Sequence, residues 1–466
     1  MLNTATRRAR KTGPLCAEKA LSSHAICVPT SVEDPVYSWR YRKAHEERDA
    51  STASPVPSSS TTDHMPSLHK NVTPLGKSGQ RPMALLFPGS GSQYPNMGSF
   101  MLKDFAAARE VWDEAEEALA EFGAWQRGLQ LESDPALAGL KLSEWEPWNA
   151  EHPADHLRRT VFGKNPPSVL MKSSNSQPAI LITSMAYLRV VEKELGIPLA
   201  RHYARFFLGH SSGEYSAACA SGALSFKDAV KITKLHGLLT SRTLMTSNLE
   251  PPVSDTALPS RRAQMSALLV HPGRTFDEIA AVVQRVQDFY SEEEGEGQVS
   301  IAAYNSSAQV VLSGSRAGVE HACEELAQHD IATKATDLPT WVPFHTSALL
   351  PAEEGVRLAL QRGIKINPTR ENTAIVSCIS GQLVTSPADI AQCLVRQISL
   401  PVRWSLAIAN LRHVCQVREM VYFGPHKALS HLAQNEVKQL GLPEVITSLS
   451  SRDGIEQVRK QYGAGT

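Results

Sequence analysis

Ser211 stands in the run Phe206-Phe207-Leu208-Gly209-His210-Ser211-Ser212-Gly213-Glu214-Tyr215, where a Gly-x-Ser-x-Gly turn joins an apolar, strand-like segment to one that suits a helix. A serine on a tight strand-to-helix turn is the arrangement of a nucleophile elbow. Its flanking glycines admit a strained backbone and leave room around the hydroxyl. The helix that follows turns free backbone N–H groups toward negative charge developing on a substrate. The chemistry open to such a serine is acyl transfer, provided a base lies within hydrogen-bond reach, because a serine hydroxyl is a poor nucleophile near neutral pH.

Of the 16 histidines, His345 is the best candidate for that base. It sits in a loop that Pro339 and Pro343 hold rigid. His210 adjoins the serine, but neighbours on an elbow point apart, so a structural role is expected for it. A second glycine-rich turn, Pro88-Gly89-Ser90-Gly91-Ser92-Gln93, follows the apolar run 83–87. It lacks both the Gly-Lys-Ser/Thr ending of a phosphate loop and the dinucleotide fingerprint. Beside an elbow serine it can instead give a backbone N–H to an oxyanion hole. His236 falls at the edge of the apolar stripe Ile232, Leu235 and Leu239, and Arg242 lies one turn beyond Leu239.

These residues need a scaffold, and the 466-residue chain is long enough for more than one folding unit. Its 47 basic and 47 acidic side chains give a formal net charge of +0, without the basic excess that nucleic-acid binders carry. No apolar run reaches membrane-spanning length; 179–191 is too short and holds Thr183, Ser184 and Arg189. The seven cysteines are scattered with no C-x-x-C pair, so neither a metal site nor a disulfide framework is expected. The expectation is a soluble protein of a reducing compartment, with no nucleic-acid or membrane partner.

Residues 1–79 read as a basic, acid-poor leader of the mitochondrial transit type followed by a Ser/Thr/Pro-rich linker. Residues 80–264 read as the first part of a large α/β unit, with a Trp- and Pro-rich insertion at 123–172. Within 265–338 the pattern strand, helix, strand, strand, helix, strand is that of a ferredoxin-like small subdomain. Ser225 and Thr275 are expected to cap helices. Residues 339–466 return to the large unit, with strands near 374–379 and 419–423. Strands alternating with helices argue for an α/β fold with a parallel sheet, and sites in such sheets form at the carboxyl ends of strands.

Taken together, these segments resemble the malonyl-CoA:acyl carrier protein transacylase family over roughly residues 83–450. Phe87 to Gln93 resembles its F-P-G-Q-G-S-Q, and Gly209 to Tyr215 its G-H-S-x-G-E-Y. Asn305 to Gly314 resembles N-x-P-x-Q-x-V-I-x-G, and Val342 to Thr346 resembles V-P-x-H-S/C. Val395-Arg396-Gln397, Pro401 to Trp404 and Gly424 to Lys427 resemble V-R-Q, P-V-x-W and G-P-G-K. The likeness is to the form serving mitochondrial type II fatty acid synthesis, of a fungal type, and it implies a mitochondrial matrix location.

The resemblance implies an α/β-hydrolase-like core with the ferredoxin-like insert. It implies malonyl transfer from malonyl-CoA to acyl carrier protein, with no cofactor beyond the coenzyme A thioester that is itself substrate. Ser211 would be the nucleophile and His345 its base. The backbone N–H groups of Ser90 and Ser212 would form the oxyanion hole, and the Gln397 carbonyl would orient His345. His236, Asn305 and Arg242 would meet the substrate. One departure stands out: family members that handle malonate carry an arginine where this chain has His236. A histidine is a weaker, pH-dependent partner for a carboxylate. Transfer of acetyl or another uncharged acyl group is therefore an alternative. A serine thioesterase and a non-catalytic carrier-protein scaffold are lesser ones.

Overall fold

The computed structural model describes residues 82–149, 157–247, 263–290, 298–340, 342–427, 430–432, 434 and 445–463. The leader and linker read into residues 1–79 lie outside the described residues. The main layer is a six-stranded sheet in the order β10-β9-β1-β2-β7-β8. Its strands are β1 (Met83–Phe87), β2 (Ala204–Gly209), β7 (Ala374–Val376), β8 (Leu383–Val384), β9 (Glu419–Phe423) and β10 (Val445–Leu449). β1 pairs in parallel with β2 and β9, β2 with β7 and β9 with β10, while β8 adds an antiparallel edge. All five residues of β1 are buried, as expected for a central parallel strand covered on both faces. This is an α/β fold built on a mostly parallel mixed sheet.

Six helices matter to the site: α1 (Ala106–Ala120), α2 (Ser173–Arg189), α3 (Gly213–Ser221), α4 (Phe226–Met245), α5 (Phe276–Phe289) and α6 (Arg316–Gln328). α2 carries Pro178 inside it. So early in a helix the missing proline N–H removes only one bond, to a carbonyl of the first turn. Ser225 caps α4, its hydroxyl accepting from the Asp228 N–H at 3.1 Å. Thr275 and Glu278 form a full capping box on α5. Residues 122–149 and 157–171 run through short helical turns that bury Trp145 and Trp148.

A second sheet, ordered β4-β5-β3-β6 and antiparallel throughout, comprises β3 (Ala263–Val270), β4 (Val299–Ser306), β5 (Gln309–Ser315) and β6 (Ala332–Asp337). Helices α5 and α6 cover it around a separate small core that includes Leu268, Ile279, Val283, Leu312 and Leu326. It is joined to the main unit beside the site. The Tyr304 N–H donates to the Val402 carbonyl at 2.8 Å, and the Val402 N–H to the Ala302 carbonyl at 2.9 Å. Beyond it lie α7 (Leu350–Gly363), α8 (Pro387–Arg396) and α9 (Trp404–His413).

Candidate active site

Because β1, β2, β7 and β9 run parallel, their carboxyl ends at Phe87, Gly209, Val376 and Phe423 open on one edge of the sheet. The elbow is assembled there from the backbone. The His210 N–H donates to the Phe87 carbonyl at 2.9 Å, which ties the turn to β1. Gly213 and Glu214 N–H groups donate to the His210 and Ser211 carbonyls, each at 2.9 Å, and open α3. Ser211 is held at φ +55°, a left-handed conformation that costs a side-chain-bearing residue about 1–2 kcal/mol. Glycine on either side makes the turn tight enough. A Cβ on Gly209 would stand 2.0 Å from the Gly213 carbonyl carbon, and one on Gly213 would stand 2.5 Å from the Phe87 oxygen.

Ser211 Oγ lies 2.9 Å from His345 Nε2. On the other side of the ring, Nδ1 lies 2.9 Å from the Leu400 carbonyl. A carbonyl only accepts, so Nδ1 carries the ring proton and Nε2 turns its lone pair to the serine hydroxyl. His345 is itself left-handed, at φ +62°, and its N–H donates to the Ile398 carbonyl at 3.2 Å. Burial, and then the nearby His210, push the His345 imidazole down to about 4. It is therefore a neutral base throughout the physiological range.

Leu400 joins the expected Gln397 at the ring and makes the 2.9 Å contact. The chain coils after α8, with the Leu400 N–H on the Arg396 carbonyl at 3.0 Å, and this turn brings the Leu400 oxygen to the ring. The Gln397 backbone still supports the basicity of the ring, as a lesser influence. Leu400 had no signal in the sequence, because a carbonyl is common to all residues.

The two loops expected to share the oxyanion hole do meet. The Ser90 N–H donates to Ser212 Oγ at 3.2 Å, and the two hydroxyls are 3.3 Å apart. Ser212 is the N-cap of α3, so its own N–H belongs to the helix terminus facing the site.

Asn305, expected to meet the substrate, bonds to the elbow and to its own hairpin. Its side-chain oxygen lies 3.0 Å from His210 Nε2, and its amide nitrogen donates to Gln309 at 3.1 Å. It thereby ties β4 to the elbow, with the His210 ring resting against Trp404 at 5.2 Å between centroids. Arg242 is not at the site. Its Nε donates to the Leu140 carbonyl at 2.6 Å and Nη2 to the Lys141 carbonyl at 3.0 Å, and its guanidinium lies over Trp145. Six residues along a helix from His236 is a turn of about 240° about its axis, so Arg242 faces the 122–171 segment instead.

His236 does belong to the site. It is 2 % exposed, its ring lies 5.8 Å from that of Tyr215, and neither ring nitrogen has a hydrogen-bond partner. Burial, and then the charge of His345, push it down to about 3. His236 is thus a neutral imidazole with unused hydrogen-bonding capacity beside the Ser211–His345 pair. Among the described residues no cluster of three or more metal-ligating side chains occurs, and no helix is long and apolar enough to cross a membrane.

Comparison with known proteins bears on this geometry. Residues 84–254 match the model of the acyl transferase domain. A malonyl CoA-acyl carrier protein transacylase of Bacillus subtilis is 31% identical over 359 residues, which is 77% of this chain and 91% of that protein. The chain belongs to the malonyl CoA-acyl carrier protein transacylase family. A transacylase of the same name from Escherichia coli is 28% identical over 366 residues, covering 77% of this chain and 93% of its own length. Among solved structures, the acyl-carrier-protein-S-malonyltransferase of Bartonella henselae superposes with a TM-score of 0.62 at 27% identity, covering 82% of this chain and 100% of that one. The transacylase-family match thus reaches past the acyl transferase domain, which holds Ser90, Ser211 and His236, and takes in the half of the chain that brings His345.

Proposed function

We propose that this chain moves a malonyl group from malonyl-CoA to the phosphopantetheine thiol of acyl carrier protein through an acyl-enzyme on Ser211. The Ser211–His345–Leu400 relay carries this reading. His345 Nε2 takes the hydroxyl proton as Ser211 Oγ attacks the thioester carbonyl. The Ser90 and Ser212 N–H groups hold the oxyanion, the Ser90 N–H exchanging Ser212 Oγ for the substrate oxygen. The tetrahedral intermediate collapses with loss of the coenzyme A thiol, which takes the proton back from His345. The carrier-protein thiol then gives its proton to His345 and attacks the acyl-serine; collapse returns the serine hydroxyl. No cofactor is required by these steps.

A second reading, transfer of acetyl or another uncharged acyl group, is favoured by His236. A malonyl carboxylate there would meet a neutral imidazole, which offers one N–H rather than the charged fork of an arginine. The two readings separate in one competition. With malonyl-CoA and acetyl-CoA mixed in equal amounts, intact-protein mass spectrometry is expected to find chiefly malonyl on Ser211. A dominant acetyl adduct establishes the second reading.

We read the six-stranded layer as an α/β-hydrolase-like core and residues 265–338 as a ferredoxin-like subdomain, a reading the strand order β4-β5-β3-β6 supports. Residues 80–264 and 339–466 then make up the large subdomain. The basic, acid-poor start of residues 1–79 supports a matrix location. Fusion of that stretch to a fluorescent protein is expected to carry it into mitochondria; diffuse cytosolic fluorescence removes the location from the proposal.

A further inference from the structure

Beneath the nucleophile lies a buried group that the acyl-transfer steps leave unused. Glu214, three residues after Ser211, is 1 % exposed. Its Oε1 accepts from the Cys378 N–H at 2.6 Å, while Oε2 is buried without a hydrogen-bond partner. Cys378 stands two residues beyond the end of β7 and is fully enclosed. Its thiol lies against the Glu214 carboxyl and against the backbone of Ser211. Its carbonyl accepts from the Arg403 N–H at 2.7 Å. Arg403 is three residues from Leu400, the carbonyl that orients His345. One cysteine therefore touches the nucleophile's backbone through sulfur and the cradle of the base through its carbonyl.

We propose that Cys378, anchored by Glu214, is a positioning residue for acyl transfer, keeping Ser211 and His345 in register with each other. The inference rests on the Ser211–His345 reading above. Both catalytic residues occupy left-handed backbone conformations, which persist only where their surroundings hold them. Cys378 is a point at which the two holds meet. A sulfur, large and only weakly hydrogen-bonding, fills the space under the elbow without competing for the N–H groups that the oxyanion needs.

Glu214 adds a pH dependence to this support. Burial pushes its carboxyl up to about 7. The titratable groups that interact with it are Cys378 after β7, Cys393 on α8 and Tyr215 on its own helix, all neutral at that pH. Ionised, Glu214 places a buried negative charge beneath the site where the substrate oxyanion forms, and it pulls on the Cys378 N–H and thiol. Transfer should then slow as pH rises through about 7.

The test uses the full chain and two readouts, steady-state acyl transfer and the rate of Ser211 labelling by a fluorophosphonate, which needs the elbow and the base but no acyl-CoA. Cys378→Ala is expected to lower kcat and the labelling rate about tenfold, with KM for acyl-CoA within twofold, and Cys378→Ser to restore part of both. Glu214→Gln is expected to remove the fall in labelling above pH 7 that the unaltered protein shows. Wild-type rates in both Cys378 variants, or an unchanged alkaline limb in Glu214→Gln, overturn the proposal. Should Cys378→Ala fail to fold, Cys378→Ser against the unaltered protein, together with Glu214→Gln, decides by the same criteria. A protein that labels with fluorophosphonate but takes acyl from no acyl-CoA would sink the function proposed above, and the labelling rates would still decide the role of Cys378.

Discussion

Ser211→Ala is expected to abolish the acyl-enzyme and to lower acyl transfer by about 10⁴-fold or more, with His345→Ala costing nearly as much and the double variant little more. The reason lies in the 2.9 Å contact between Ser211 Oγ and His345 Nε2. The two groups act as one unit, so removing either removes the alkoxide equivalent that attacks the thioester. What remains is binding and the oxyanion hole. Intact-protein mass spectrometry after mixing with malonyl-CoA reads the adduct directly, and a full-strength adduct in Ser211→Ala would move the nucleophile elsewhere. The same pair predicts the acid limb of the rate. His345 must be neutral to accept a proton, and its buried imidazole is pushed down to about 4. Acylation should therefore hold steady as pH falls through 6.5, the ordinary histidine value, and fail only on approaching 4. A half-maximal rate near 6.5 would contradict this account of the site.

Gly209→Ala should be severely damaging to the elbow. Its Cβ would stand 2.0 Å from the Gly213 carbonyl carbon, 2.1 Å from the Glu214 N and 2.2 Å from the Gly213 oxygen. All three are backbone atoms at the start of α3, so no side chain can swing aside. Overpacking of a core costs about 1–3 kcal/mol where neighbours can adjust, and here the cost belongs at or above the top of that range. The first turn of α3 would have to withdraw, and Ser211 would go with it. A thermal melt and fluorophosphonate labelling together measure both consequences; a variant with normal stability and normal labelling would show that the elbow is looser than this packing implies. Gly91 gives the contrast, for a Cβ there meets nothing within 4 Å and only its positive φ, +99°, resists substitution.

The elbow was legible because its requirements are local. A left-handed serine between glycines, with a buried strand before it and a helix after, is written within about ten consecutive residues. The capping residues Ser225 and Thr275 were legible for the same reason, since a cap spans a single turn. The order of strands and helices in the small sheet followed from hydrophobic periodicity. β10 was not anticipated: its five residues, Val445–Leu449, form an edge strand that exists only because β9 offers a parallel partner.

The functional residues divide in a similar way. Ser211 and His345 carry side-chain chemistry at recognisable positions, and the sequence by itself determined that pair, the loop at Ser90 and the α/β class of the scaffold. Arg242 looked like a neighbour of the site from its helical stripe, yet helix geometry turned it toward the 122–171 segment, where backbone carbonyls and Trp145 occupy it. Asn305 carried the right residue type but bonds to His210 and Gln309. Only the tertiary structure decided that Leu400 orients His345, that His236 is buried with both ring nitrogens unpartnered, and that Cys378 meets Ser211 and Glu214 under the elbow. The physical reason is common to these three. Backbone carbonyls have no residue signature, and the protonation state of a buried side chain is set by groups that are distant in the chain and adjacent only once it has folded.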